Sequence, residues 1–126
     1  MVDFSQTSAM ALAYLGDAVI ELLVRERLIL KGYEKSAKLN SEARKFVTAV
    51  AQNRAYLAIS SLLTEEESDI FKRGKNCSHL NIPKSASALE YKNATGLEAI
   101  FGYLHLMGRS DRIKELFLIA YNDILD

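Results

Sequence analysis

The sequence predicts an all-α fold, a compact helical bundle. It has one proline, its alanine- and leucine-rich segments repeat at helical spacing, and no convincing alternating strand pattern interrupts them. The 126 residues, nearly half of them apolar, suffice for one domain spanning 1–126 whose core needs no disulfide.

Each helix has its own signals. The first is expected from about Ser8 to Lys31, stopped by Gly32. Ser36 is expected to cap a second, with Leu39, Ala43, Phe46 and Val47 on its apolar side. Thr48 is expected to cap a third, buried through Ala51, Ala55, Leu57, Ala58 and Leu62. Thr64-Glu65-Glu66-Glu67 reads as a capping box, in which the hydroxyl and Glu67 satisfy free amides reciprocally and the acids face the positive end of the helix dipole. That short helix should end near Gly74, followed by a loop over 75–84 closed by Pro83. A long helix is expected from about Ser85 to Leu106, stopped by Gly108. Ser110 should cap the last, with Ile113, Leu116, Phe117, Ala120, Ile124 and Leu125 facing inward.

Two of these segments are almost purely apolar, and each contains a single charge. Residues 9–20 read AMALAYLGDAVI around Asp17, and residues 93–108 read NATGLEAIFGYLHLMG around Glu98. A carboxylate taken into a core costs several kcal/mol unless something compensates it. Pairing with Arg or Lys would do so, as would hydrogen bonds from backbone or from a tyrosine such as Tyr14 or Tyr103. A divalent metal shared by both acids would also do so. Gly16, Gly96 and Gly102 lie close to the acids in sequence, and a mid-helix glycine costs roughly 1 kcal/mol relative to alanine. Such small residues allow close helix approach and leave room for hydrated Mg²⁺, which commonly takes one or two protein carboxylates. Glu21, one turn past Asp17, is expected to face solvent or a cation.

Other chemistry is sparse. His79 and His105 lack metal-ligand spacing, and there is no phosphate-binding glycine loop. Cys77 is alone and reads as a bystander, which with the absence of a secretory pattern favours a cytoplasmic protein. No apolar run reaches the roughly 18–20 residues of a membrane span. Formal net charge is zero, yet residues 72–92 carry Lys72, Arg73, Lys75, Lys84 and Lys92 against Glu90 alone. One face can therefore attract a polyanion while the molecule stays neutral.

The segment LAYLGDAVIE at 12–21 resembles the signature helix of the ribonuclease III family, and LEAIFGYLHL at 97–106 resembles its second conserved block. KRGKN at 72–76, the Pro83-Lys84 pair and Tyr91-Lys92 are similar to the Mini-ribonuclease III subfamily, which consists of the catalytic domain alone. The resemblance runs in order along essentially the whole chain. It implies a homodimeric, Mg²⁺-dependent endoribonuclease that cuts double-stranded RNA, leaving 5′-phosphate and 3′-hydroxyl ends. The implied substrate is the stem of precursor 23S ribosomal RNA, with a ribosomal protein as a candidate partner in presenting it. Asp17 and Glu98 would be the catalytic and metal-binding acids. Lys72, Arg73, Lys75, Asn76 and Lys84 would hold the RNA. The chain departs from the larger family at Met10 and Ala13, where glutamates are usual, and at Thr95, where aspartate is usual. Those losses motivate an alternative, an inactive RNA-binding or ribosome-associated module on the same fold. A third reading is a plain helical protein whose apolar faces serve only self-association.

Overall fold

The computed structural model describes residues 3–77 and 86–124, and among these every regular element is a helix. The elements are α1 (Ala9–Leu30), α2 (Ser36–Val47), α3 (Ala49–Ile59), α4 (Glu65–Cys77), α5 (Ala88–Leu106) and α6 (Ser110–Ala120), with 3-10 turns at Ser60–Leu62 and Asn122–Ile124.

Helix α5 is the axis of the fold. Its residues 93–104 are buried apart from Thr95 and Glu98, because α1, α3 and α4 pack around it and α6 closes the remaining side. Leu97, Ile100, Phe101 and Leu104 of α5 meet Leu12, Ile20, Val24 and Leu28 of α1 in one hydrophobic cluster, which Ile59, Ile70, Leu116 and Ile124 extend. Burying each such side chain is worth about 1.5–3 kcal/mol. Helix α2 contributes only partly buried residues, Leu39, Ala43, Phe46 and Val47, the apolar side expected from the sequence.

Several caps are as expected. The Ser8 hydroxyl accepts from the Ala11 amide at 3.1 Å, and Thr48 Oγ1 accepts from Ala51 at 3.2 Å. The Thr64–Glu67 box is complete: Thr64 N donates to Glu67 Oε1 at 2.9 Å, and Glu67 N donates to Thr64 Oγ1 at 3.1 Å.

Other local expectations are corrected. Ser36 and Ser110 are the first residues of their helices rather than caps; Lys35 and Arg109 hold the cap positions without a side-chain bond. Helix α5 starts at Ala88, not near Ser85, because Ser87 and Glu90 form a second reciprocal capping box. In α3 the buried stripe is Ala51, Gln52, Ala55 and Ile59, while Leu57 and Leu62 are exposed, since α5 and α6 cover only one side of this short helix.

Gly74 does not end α4. The helix continues to Cys77, and Gly74 is buried against α5, where an added Cβ would lie 2.9 Å from the Gly96 Cα and from the Ala99 Cβ. The glycine serves tertiary packing there, and that packing outweighs its poor helix propensity. The expected loop over 75–84 is therefore helical through Cys77, and the rest of it, with His79, Pro83 and Lys84, lies outside the described residues. Leu125 lies outside them as well.

Candidate active site

The crossing of α1 over α5 creates the site. A Cβ at Gly16 would sit 1.6 Å from the Glu98 carbonyl oxygen, and one at Gly102 would sit 1.9 Å from the Leu12 carbonyl oxygen. The two backbones are thus in direct contact at reciprocal positions, which only glycine permits. Asp17 follows Gly16 and Glu98 lies one turn before Gly102, so the crossing brings the carboxylates together at its rim. The glycine signal in the sequence has its explanation here.

Asp17 is exposed and Glu98 half-buried. This corrects the expectation that both acids are drawn into the core: the α1 segment is apolar on two sides, and Asp17 leaves at the edge of the crossing. The side chains lie within hydrogen-bonding reach of each other. Burial first, then the charge and hydrogen bond of Asp17, push the Glu98 carboxyl up to about 8. Among the described residues neither acid is in a salt bridge. Tyr103 does not serve them, since its hydroxyl donates to Glu66 Oε2 at 2.6 Å. Tyr14 is 84% exposed. Glu21 pairs with Arg25.

Two facing carboxylates, one of them kept from ionising by burial and by the other, suit a divalent cation that would neutralise both. Among the described residues no group of three or more His, Cys, Asp or Glu is placed to hold a metal. The pair would therefore supply two ligands and leave the other positions to water and substrate.

The basic residues are dispersed over α4. Lys72 and Asn76 are exposed on its outer face and Lys75 is half-buried beside them. The Arg73 guanidinium turns the other way and donates to the carbonyl oxygens of Ser5 and Thr7, tying the N-terminal segment to α4. Cys77 donates to the Gly74 carbonyl at 3.2 Å, and burial pushes its thiol up, as befits a bystander. His105 is exposed.

A buried polar pair was not anticipated. Tyr121 closes α6, and its hydroxyl donates to Gln52 Oε1 on α3. Burial and the charge at Glu98 both push this hydroxyl's titration upward. In the sequence Gln52 is one polar residue among many, and nothing local marks it as inward-facing.

Comparison with known proteins identifies the family of this all-helical domain directly. The Ribonuclease III domain profile matches residues 10–109. The chain belongs to the ribonuclease III family and is an endoribonuclease. Its relatives include the Mini-ribonuclease 3 of Streptococcus pneumoniae, 42% identical over 118 residues that cover 92% of each chain. The Mini-ribonuclease 3 of Symbiobacterium thermophilum is 42% identical over 111 residues, covering 88% of this chain and 85% of that protein. A crystal structure of a Fusobacterium nucleatum protein superposes with a TM-score of 0.87 at 35% identity, covering 97% of this chain and 98% of that one.

Proposed function

We propose that the protein hydrolyses phosphodiester bonds of double-stranded RNA with Mg²⁺, and that Asp17 and Glu98 hold the metal and carry the chemistry. The observation behind this reading is the meeting of two carboxylates that lack a cation partner among the described residues. Bound Mg²⁺ would supply Lewis acidity and offset charge at the scissile phosphate. Glu98, half-buried and set by the α1–α5 crossing, fixes where that charge sits. Asp17, more exposed, faces the solvent side from which substrate arrives. Hydrolysis would leave 5′-phosphate and 3′-hydroxyl ends, and the stem of precursor 23S ribosomal RNA in the cytoplasm is the substrate this reading favours.

Recognition would rest on shape and phosphates, because side chains read the deep groove of A-form RNA poorly. Lys72, Lys75 and Asn76 are available along one side of α4, and Lys84 belongs to the same basic stretch of sequence. Arg73 would act through the N-terminal segment it anchors as much as through a phosphate.

Homodimerisation is part of the proposal. Met10, Tyr14, Leu22 and Ile29 of α1 are exposed at 58, 84, 60 and 61%, and their spacing forms an apolar stripe along the helix that carries Asp17. A two-fold contact along that stripe would bring two acid pairs near each other, one for each RNA strand.

The test is incubation of purified protein with a labelled RNA duplex at low salt, with Mg²⁺ or with excess EDTA. Discrete cleavage that requires the metal and disappears in Asp17→Asn is expected. Metal-independent cutting, or full activity in Asp17→Asn, would refute the assignment.

A further inference from the structure

The axial helix α5 is covered on nearly every side. From Tyr91 to Leu104 only Tyr91, Lys92, Thr95 and Glu98 are not buried. Tyr91, Thr95 and Glu98 recur at helical spacing and so share one face, an open strip that leads to the acid pair. Two neighbouring helices bound the strip. At Glu98 it meets α1, since a Cβ on Gly16 would lie 1.6 Å from the Glu98 carbonyl oxygen. At Thr95 it meets α4, since a Cβ on Gly74 would lie 3.1 Å from the Thr95 carbonyl oxygen. Thr95 therefore lies one turn from Glu98, between the helix of Asp17 and the helix of Lys72, Lys75 and Asn76.

Local stability gives no reason for a threonine here. Its hydroxyl donates to the Tyr91 carbonyl oxygen at 3.1 Å, a bond to the preceding turn that slightly destabilises a helix. Threonine is also a poorer helix former than alanine, by up to about 0.7 kcal/mol. That bond fixes what the hydroxyl offers outward. A hydroxyl has one donor and two acceptor lone pairs, so with its proton on Tyr91 the Thr95 oxygen presents an acceptor alone. Phosphate oxygens are acceptors too and form no hydrogen bond with it. Duplex RNA supplies a suitable donor at every nucleotide, the ribose 2′-hydroxyl displayed in the wide minor groove. DNA lacks that donor.

We propose that Thr95 is a specificity-determining residue: its hydroxyl oxygen accepts from the 2′-hydroxyl of a nucleotide beside the scissile phosphate, and so tells ribose from deoxyribose at the acid pair. The inference rests on the reading of Asp17 and Glu98 as the pair that cuts duplex RNA. A strand that reaches these acids from the α4 side passes over Thr95, because the rest of α5 beside Glu98 is covered. Side chains one turn apart stand about 5–6 Å from each other at Cβ, which lets one serve the phosphate and the other the adjoining sugar.

The experiment pairs a change in the protein with a change in the RNA. Thr95→Val keeps the side-chain shape without the hydroxyl, and Thr95→Ser keeps the hydroxyl. Both are compared with the wild type in single-turnover cleavage of duplexes that carry one 2′-deoxy nucleotide at successive positions around the cut. The wild type should slow about 3–10-fold at one position beside the scissile phosphate, the worth of one neutral hydrogen bond. Thr95→Val should cut the all-ribose duplex about 3–10-fold more slowly and show no further loss from that one substitution. At the other positions it should respond as the wild type does. Thr95→Ser should recover the wild-type pattern, and the Tm of both variants should stay close to that of the wild type. A wild type indifferent to every deoxy substitution would overturn the inference. So would a Thr95→Val enzyme that is slower on all duplexes yet keeps the wild-type discrimination, the signature of a role in packing or in holding water. Asp17→Asn separates the two levels. If the wild type cuts and Asp17→Asn does not, unaltered discrimination in Thr95→Val removes only the role of Thr95. If the wild type shows no metal-dependent cutting, both readings fall.

Discussion

Glu67 and Glu98 are both withdrawn from solvent, yet their surroundings treat them in opposite ways. Glu67 is 2% exposed at the start of α4. It accepts from Arg112 Nε at 2.8 Å and Nη2 at 2.7 Å, and from the Thr64 amide at 2.9 Å. Burial alone would raise its pKa, but the Arg112 hydrogen bonds and the Thr64 amide outweigh it, and the carboxyl is held below the usual range. Glu98 instead faces Asp17, so burial and repulsion act in the same direction and raise it to about 8. Burial of a carboxylate therefore says little about its purpose until its partner is known. Glu67 is completed by the fold and ties α4 to α6. Glu98 has no salt bridge among the described residues, as its proposed role in holding a metal requires.

Removing each group should break the comparison in different ways. The largest effect is expected at the acid pair: Asp17→Asn or Glu98→Gln should lower the cleavage rate by at least about 10³-fold, equivalent to about 4 kcal/mol of transition-state stabilisation. A single-turnover assay on duplex RNA checks this. Arg112→Ala leaves Glu67 buried and uncompensated, and should cost about 3 kcal/mol of stability by chemical denaturation. Gly16→Ala should cost about as much, because its methyl group would collide with the Glu98 carbonyl and force the helices apart.

The pH dependence sharpens the contrast. In metal-free protein the Glu98 pKa is above its unfolded value, so its contribution is fully present below the ordinary carboxylate range and is lost as pH rises toward about 8. Stability in EDTA should fall by roughly 2–4 kcal/mol across that window, allowing for partial exposure of the group. Urea melts at several pH values test this, and the slope should vanish in Glu98→Gln. The Glu67 contribution has the opposite sign: present above the unfolded carboxylate pKa, it is lost on acidification. The smallest expected effect is on RNA affinity. Lys72→Ala and Lys75→Ala should each reduce the slope of log K against log salt by about one unit or less, and an unchanged slope would place the RNA surface elsewhere.

The acid pair was legible in the sequence because an isolated carboxylate in an apolar run is costly and visible. The neighbouring glycines added that two helices cross closely at that point. The capping box at Thr64–Glu67 was equally legible, since its logic is local. Three features were not. The extension of α4 past Gly74 depends on a neighbouring backbone, and a glycine in a helical pattern looks the same whether it ends the helix or packs it. The exposure of Leu57 and Leu62 depends on which side of α3 the other helices leave open. The Tyr121–Gln52 bond joins residues 69 apart, and no periodicity predicts which amide along α3 turns inward. The exposure of Asp17 belongs with these, because the apolar run around it serves two packing surfaces and leaves a rim.

The central claim is that Asp17 and Glu98 form a site the fold leaves incomplete rather than a structural pair. The most direct test measures Glu98→Gln twice, for metal-free stability near pH 8 and for Mg²⁺-dependent cleavage of duplex RNA. The account predicts stability equal to or above that of the wild type, together with loss of cleavage. Stability falling as far as it does in Arg112→Ala, or cleavage retained, would contradict it.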